Sequence, residues 1–255
     1  MVKELWVEKY RPVSVGDYVF RDERLSNQVK KWIAENDIPH LLLHGPAGTG
    51  KSSLANVLIK NLNIAKGDVL YINCSEQTGI DFAREKISGF VSTFPIGDFK
   101  VVLLEEMDYL STNAQAMLRR VLEDHAKSAR FIITGNYINK IIPAIRSRCQ
   151  DIEIKKLDMD QFTVRLATIL VENEGIDVDA DVLESYVKAS YPDLRKCINS
   201  IQLNVQDGEL LPATSENSTA DWQIKAVELF KKGEIKKGRE LVCSQIRPEE
   251  CDDFF

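Results

Sequence analysis

The sequence predicts an α/β fold, a parallel sheet covered by helices, followed by a smaller helical unit. Three observations carry this. Short apolar runs alternate with helix-length segments through the first 155 residues, those runs mostly lack polar alternation, and the strand signal fades after Asp158. Strands without alternation are buried on both faces, as in a parallel sheet layered between helices.

In chain order, residues 41–43, 69–72, 101–104, 131–133 and 152–154 read as strands. The segments 52–62, 80–91 and 111–124 are long enough for the crossover helices that parallel neighbours require. Asp158 stands three residues before Gln161, a form related to the capping box, and Phe162, Leu166, Ile169 and Leu170 follow at helical spacing. Residues 178–189 and 193–205 read as two more helices, the second entered through Pro192. Residues 212–220 are polar and nearly free of large apolar side chains, a linker pattern, and 222–231 and 235–246 read as a helix pair. The expected division is an α/β domain over 1–155, a helical unit over 156–207, and a linker with an incomplete helical unit over 208–255.

Composition narrows the function classes. With 44% hydrophobic and 28% charged residues in 255, the chain is that of an ordinary globular protein of one or two domains. No apolar run approaches the roughly 20 residues of a membrane helix, and the start has no signal-like apolar stretch, so no membrane role is expected and a cytoplasmic location is. A net charge of -6 disfavours a surface coated with basic residues for non-specific DNA binding, while leaving local basic patches open. Cys74, Cys149, Cys197, Cys243 and Cys251 are odd in number and widely spaced, which supports neither a disulfide framework nor a zinc site; reduced thiols are expected.

The strongest chemical signal is Gly45-Pro46-Ala47-Gly48-Thr49-Gly50-Lys51-Ser52, which fits G-x-x-x-x-G-K-[ST] directly between a strand and a helix. Glycines let successive backbone N–H groups point inward around a phosphate, and the following helix sets its positive end on the same oxygens. Lys51 is expected at the β- and γ-phosphates and the Ser52 hydroxyl on Mg²⁺. Such a loop needs carboxylates at a neighbouring strand end, and Glu105, Glu106 and Asp108 follow the apolar run 101–104. Glu106 is expected as the catalytic base that polarises water, and Glu105 in the metal shell. Aspartate is usual where Glu105 stands, and the extra C–C bond of about 1.5 Å must be absorbed by rotamer or by water.

Five further segments occur in order: Trp6 to Pro12, Ala114 to Arg120, Phe131 to Asn136, Ile145 to Cys149, and Pro192 to Asn199. Together they resemble the AAA+ clamp-loader ATPases of the replication factor C small-subunit group, over about residues 4 to 205. Pro192 in place of a common glycine makes the lid segment most similar to the large subunit of T4-type phage sliding-clamp loaders, which would place the protein in the host cytoplasm. The resemblance implies a P-loop AAA+ domain, a helical lid and a partial helical collar. It implies ATP and Mg²⁺ as cofactors, with Val7, Glu8, Lys9, Tyr10, Arg11 and Val19 around the nucleotide and Gly45, Gly48, Thr49, Gly50, Lys51, Ser52 and Ser53 on its phosphates. Asn136 would be the sensor near the γ-phosphate, Arg195 the lid contact in cis, Arg148 a finger on the neighbouring subunit's nucleotide, and Gln115 a coupling residue between DNA and the ATP site.

The implied partners are other clamp-loader subunits in a hetero-oligomer, a pentamer in this family, together with a sliding clamp and primer-template DNA. The implied activity is ATP-driven clamp opening and placement, with hydrolysis releasing the loader. Arg84 and Arg119 are the favoured DNA contacts, ahead of Lys86 and Arg120. The apolar cluster of Phe90, Val91, Phe94 and Ile96 either enters a groove on the clamp or packs under its own domain. His40, His44, His125, Trp32 and Trp222 read as structural. Two departures stand out: Glu105, and Thr78 where the family carries a basic switch that restrains the catalytic glutamate. They keep open a nucleotide-gated scaffold with little hydrolysis; an AAA+ helicase motor is a third reading.

Overall fold

The computed structural model describes residues 4–76, 80–206 and 208–212, with 229, 231 and 235–237, and only the backbone of 80–84. In chain order the elements are α1 (Trp6–Lys9), α2 (Glu23–Glu35), β1 (Leu41–His44), α3 (Lys51–Asn61), β2 (Val69–Asn73), α4 (Ile80–Ser92), β3 (Lys100–Glu105), α5 (Thr112–Asp124), β4 (Ala129–Gly135), α6 (Pro143–Arg146), β5 (Gln150–Glu153), α7 (Met159–Ala167), α8 (Ala180–Ser190), α9 (Leu194–Asn204), β6 (Val205–Gln206) and β7 (Glu209–Leu210). The expected Arg84 contact, the switch position Thr78 and the pair of helices after 222 fall wholly or partly outside the described side chains.

The five long strands form one parallel sheet in the order β2-β3-β4-β1-β5. Leu41 is in register with Ile132 on one side and Gln150 on the other, so β1 and its outgoing loop lie inside the sheet and not at its edge. Alternate strand residues feed two cores. Leu42, Val102, Leu104 and Ile133 pack on one face with Ile87, Leu118 and Ile145, while Leu41, Leu43, Leu103 and Ile132 pack on the other with Val29, Trp32, Leu54 and Leu58. Both faces are covered, which is why the strands carry no polar alternation. Each such side chain contributes about 1.5–3 kcal/mol on burial.

Two features differ from the sequence expectation here. Helix α2 has a thin apolar stripe of Leu25, Val29, Trp32 and Ile33 among charged neighbours, and no run of residues announces it. It is bounded by chemistry: the Asp22 carboxylate accepts from the Arg24 N–H at 2.8 Å, and Asn36 ends it with φ 48. Strand β5 starts at Gln150, earlier than expected, because as an edge strand paired only to β1 it has no need of apolar side chains on every residue.

The chain divides into two compact units, Met1–Arg165 with Pro192–Lys196, and Leu166–Tyr191 with Cys197–Phe255. In the first, Asp158 caps α7 by accepting from the Gln161 N–H at 2.8 Å. In the second, α7 passes into a π-helical stretch, Thr168–Asn173, and Leu183, Tyr186, Val187, Ile198 and Ile201 are buried. The Tyr186 hydroxyl donates to the Leu211 carbonyl at 2.8 Å. Strand structure does not end at Asp158, contrary to expectation: Val205–Gln206 pairs antiparallel with Glu209–Leu210, turned by Gly208 at φ 85. Two-residue strands are too short to show a period.

Candidate nucleotide site

The loop from β1 to α3 is built where only glycine fits. Gly45 has φ 140, and a Cβ there would lie 2.4 Å from the Ile154 carbonyl oxygen, a backbone atom that cannot swing away. Gly48 has φ 74 and would place a Cβ 2.6 Å from the Asp193 carboxyl carbon; Gly50, at φ 94, would place one 3.2 Å from the Tyr18 hydroxyl. The chain thus surrounds the loop closely and leaves its backbone N–H groups as the available chemistry.

Lys51 opens α3 and is 8% exposed. Its ammonium donates to the Gly45 carbonyl at 2.8 Å and the Pro46 carbonyl at 2.6 Å, and the Thr49 hydroxyl also donates to Pro46, at 2.9 Å. Burial pulls the Lys51 pKa down from 10.5 to about 8; Asp108 and Glu106 oppose that shift, and Arg195 adds to it. Those three groups therefore share the electrostatic environment of Lys51. Ser52 and Ser53 follow it in the first turn of α3.

Across the sheet, β3 ends at Glu105, whose carbonyl accepts from the Cys74 N–H at 2.9 Å. Glu106 then adopts φ 56 and ψ 44, a left-handed conformation that costs a non-glycine residue about 1–2 kcal/mol. Two contacts hold it there: its N–H donates to the Thr134 hydroxyl at 3.2 Å, and the next side chain, Met107, is fully buried. Asp108, 7% exposed, accepts through one oxygen from the N–H groups of Asn136 and Tyr137, both at 3.2 Å; its other oxygen has no partner among the described residues. Asn136, just beyond β4, is thereby fixed by the carboxylate strand.

Beside the loop lies a cavity of about 780 Å³ lined by Tyr18, Val19, Phe20, Thr49 and residues of β5. Val7, Glu8 and Lys9 lie in α1, where Arg11 pairs with Glu8 at 3.5 Å and Arg165 donates to the Tyr10 carbonyl at 3.4 Å. Gln115 is buried and bridges three segments, donating to the Leu110 and Lys140 carbonyls at 3.0 and 2.9 Å and accepting from the Ile142 N–H at 2.9 Å. Arg148 is exposed and bound to Glu123. Phe90 and Val91 join the core while Phe94 and Ile96 are 96% and 77% exposed, so the apolar cluster is divided.

Tyr18, Thr134 and Asp193 reach this site without having been anticipated. Their contacts with Gly50, Glu106 and Gly48 span long stretches of chain, and no local spacing signals them. Asp108 was visible as a third acid, but its partners were not. Among the described residues no cluster of three or more His, Cys, Asp and Glu side chains is arranged to hold a metal. Burial lifts the thiols of Cys74 and Cys149 to about 12, which leaves little thiolate at neutral pH.

Residues 41–157 match the sequence model of the family described as ATPase family associated with various cellular activities (AAA). The chain is 36% identical over 248 residues to the replication factor C small subunit of Archaeoglobus fulgidus, covering 94% of this chain and 77% of that one. For the small subunit of Thermofilum pendens the identity is 37% over 251 residues, with coverages of 97% and 74%. The chain belongs to the replication factor C small-subunit family. A plant relative, replication factor C subunit 3 of Oryza sativa, is 40% identical over 204 residues, covering 77% of this chain and 56% of the plant chain. In three dimensions it is similar to the RuvB Holliday junction branch migration motor of Thermotoga maritima, with TM-score 0.65 over 79% of this chain and 69% of that one; at 16% identity this likeness is one of fold.

Proposed function

We propose that this protein is an ATP-hydrolysing subunit of a sliding-clamp loader, acting in a hetero-oligomer, in this family a pentamer, that opens a polymerase clamp and places it on primer-template DNA. The observation that carries this is the division of the site. Lys51 shares its environment with Glu106, Asp108 and Arg195, whereas Arg148 is presented at the surface with Glu123, Ala144 and Ser147. An arginine so placed suits a nucleotide held by an adjacent subunit.

The steps follow from the chain's own groups. On binding ATP, Lys51 exchanges the Gly45 and Pro46 carbonyls for phosphate oxygens, and the α3 N-terminus and loop N–H groups hold the β-phosphate. Ser52 and Glu105 are the residues that would hold Mg²⁺, which when bound would neutralise phosphate charge. Glu106, aimed by its left-handed backbone, orients and polarises the attacking water; Asn136 steadies it, and Arg195 in cis and Arg148 in trans meet the charge that grows on the γ-phosphate.

Arg119 on α5, with Arg84, would track DNA phosphates, and Gln115 ties α5 to the 140–142 segment leading to Arg148. The exposed Phe94 and Ile96 would enter an apolar groove of the clamp. Pro192 favours a phage-type loader.

Arg148→Ala is expected to leave MgATP binding by the isolated chain unchanged and to remove most of the turnover stimulated by clamp and DNA. Stimulated turnover at the wild-type level in that variant would refute the finger role. The mass of the complex co-purified through this chain, with an ATP analogue present, fixes the number of copies.

A further inference from the structure

Helix α5 carries Gln115, Arg119 and Glu123 at successive spacings of four, on one face. Gln115 grips the chain before α6, and Glu123 grips it after. The Nε and one terminal nitrogen of Arg148 both donate to a single Glu123 carboxylate oxygen, while the other terminal nitrogen donates to the Ala144 carbonyl at 2.6 Å and the Ser147 hydroxyl at 3.2 Å. A guanidinium has five N–H donors, and here its Nε edge and its second terminal nitrogen are already directed at acceptors of the same chain. Arg119 approaches the same Glu123 oxygen at 3.9 Å.

We propose that Glu123 is a positioning residue that restrains Arg148, competing for its guanidinium with the phosphate of a neighbouring subunit's nucleotide. This rests on the finger role proposed above. A carboxylate and a γ-phosphate are both anions that take the guanidinium fork side-on, and one fork serves one of them at a time. Arg148 therefore leaves Glu123 before it acts in trans. Because the side chains of both partners stay about one-third exposed, the restraint is modest and reversible. Arg119 draws on the same oxygen, so the residue proposed to meet DNA and the residue proposed to meet nucleotide share one counter-charge.

The test uses the complex purified through the full chain, with phosphate release measured in MgATP without DNA, for wild type, Glu123→Gln, Arg148→Ala and the double variant. Glu123→Gln is expected to raise turnover about two- to fivefold, the range of an exposed ion pair. The rise should fall on kcat and leave KM for MgATP unchanged, because the cis loop around Lys51 is untouched. In the Arg148→Ala background the same substitution should do nothing. Unchanged or lowered turnover in Glu123→Gln overturns the restraint, and so does an equal rise in the double variant. Full turnover in Arg148→Ala alone overturns the finger role and the restraint with it, and this single-variant result tells the two failures apart.

Discussion

The ammonium of Lys51 lies 2.8 Å from the carbonyl of Gly45, so the residue proposed to meet phosphate is tied to the loop proposed to hold it. A charged amine kept at 8% exposure on neutral carbonyls is under-compensated, which is the origin of its pKa near 8. Phosphate would restore the full charge. MgATP binding is thus expected to take up a proton above about pH 8 and to weaken as pH rises past that value, measurable by calorimetry in buffers of different ionisation enthalpy. Stability of the nucleotide-free chain has the opposite trend. The folded pKa of about 8 lies below the ordinary 10.5, so the unfolded chain holds more protons between these values and stability rises with pH across that window. Lys51→Met should abolish MgATP binding and flatten that rise.

Glu106 depends on Thr134. Glu106→Gln keeps the shape and the N–H but removes the proposed base, so nucleotide binding is expected to persist while turnover falls about 10²- to 10⁴-fold. Thr134→Val removes the acceptor for the Glu106 N–H and leaves the left-handed backbone less secured, with a stability loss of about 1–3 kcal/mol and slower turnover. Thr134→Ser keeps the hydroxyl and should restore both. Steady-state phosphate release with clamp and primed DNA separates these outcomes. Equal background rates in wild type and Glu106→Gln would favour the nucleotide-gated scaffold.

Asp108 offers a contrast between charge and hydrogen bonding. One oxygen serves two N–H groups and the other is buried without a partner among the described residues. Asp108→Asn retains an acceptor and removes the buried charge, so the melting temperature is expected to hold or rise. Asp108→Ala orphans the Asn136 and Tyr137 N–H groups, at about 1–3 kcal/mol for each one left unsatisfied. A fall of at least 2–4 °C per kcal/mol follows for a protein of this size. Turnover should drop in Asp108→Ala, because Asn136 loses its anchor.

The sheet and the phosphate loop were legible because both are local. Unalternating runs such as Val101 to Leu104 report burial on two faces, and the loop's glycines sit at fixed spacing. Helix α2 is not legible in the sequence, since Val29 and Trp32 are its only buried residues and they stand among lysines. The β6–β7 pair was missed because two residues carry no period. Within the candidate site, motifs single out Lys51, Glu106 and Asn136 as candidates, but not the contacts that fix them. Thr134 meets Glu106, and Asp193 meets Gly48, only after the chain has crossed the sheet or returned to it, and a one-dimensional pattern holds no record of such approaches.

Phe94 and Ile96 are 96% and 77% exposed and do not pack under their own domain. Their neighbours Phe90 and Val91 pack into the core, and Lys100 donates to the Phe90 carbonyl at 2.7 Å, fixing the end of α4. The buried Asp68 carboxylate accepts from the Ile96 and Gly97 N–H groups at 2.7 and 2.8 Å, holding the loop that follows. Two apolar side chains thus stand in solvent on a braced loop. Because they are exposed in the free chain, the double change Phe94→Ser and Ile96→Ser should leave the melting temperature within about 0.5 kcal/mol equivalent of wild type. Turnover with MgATP alone should also be unchanged. If these side chains enter the clamp, burying each would contribute about 1.5–3 kcal/mol, so clamp affinity should fall by at least tenfold and clamp stimulation should go with it. Titration of fluorescent clamp onto the complex measures this directly, and an unchanged dissociation constant would place the clamp contact elsewhere on the chain.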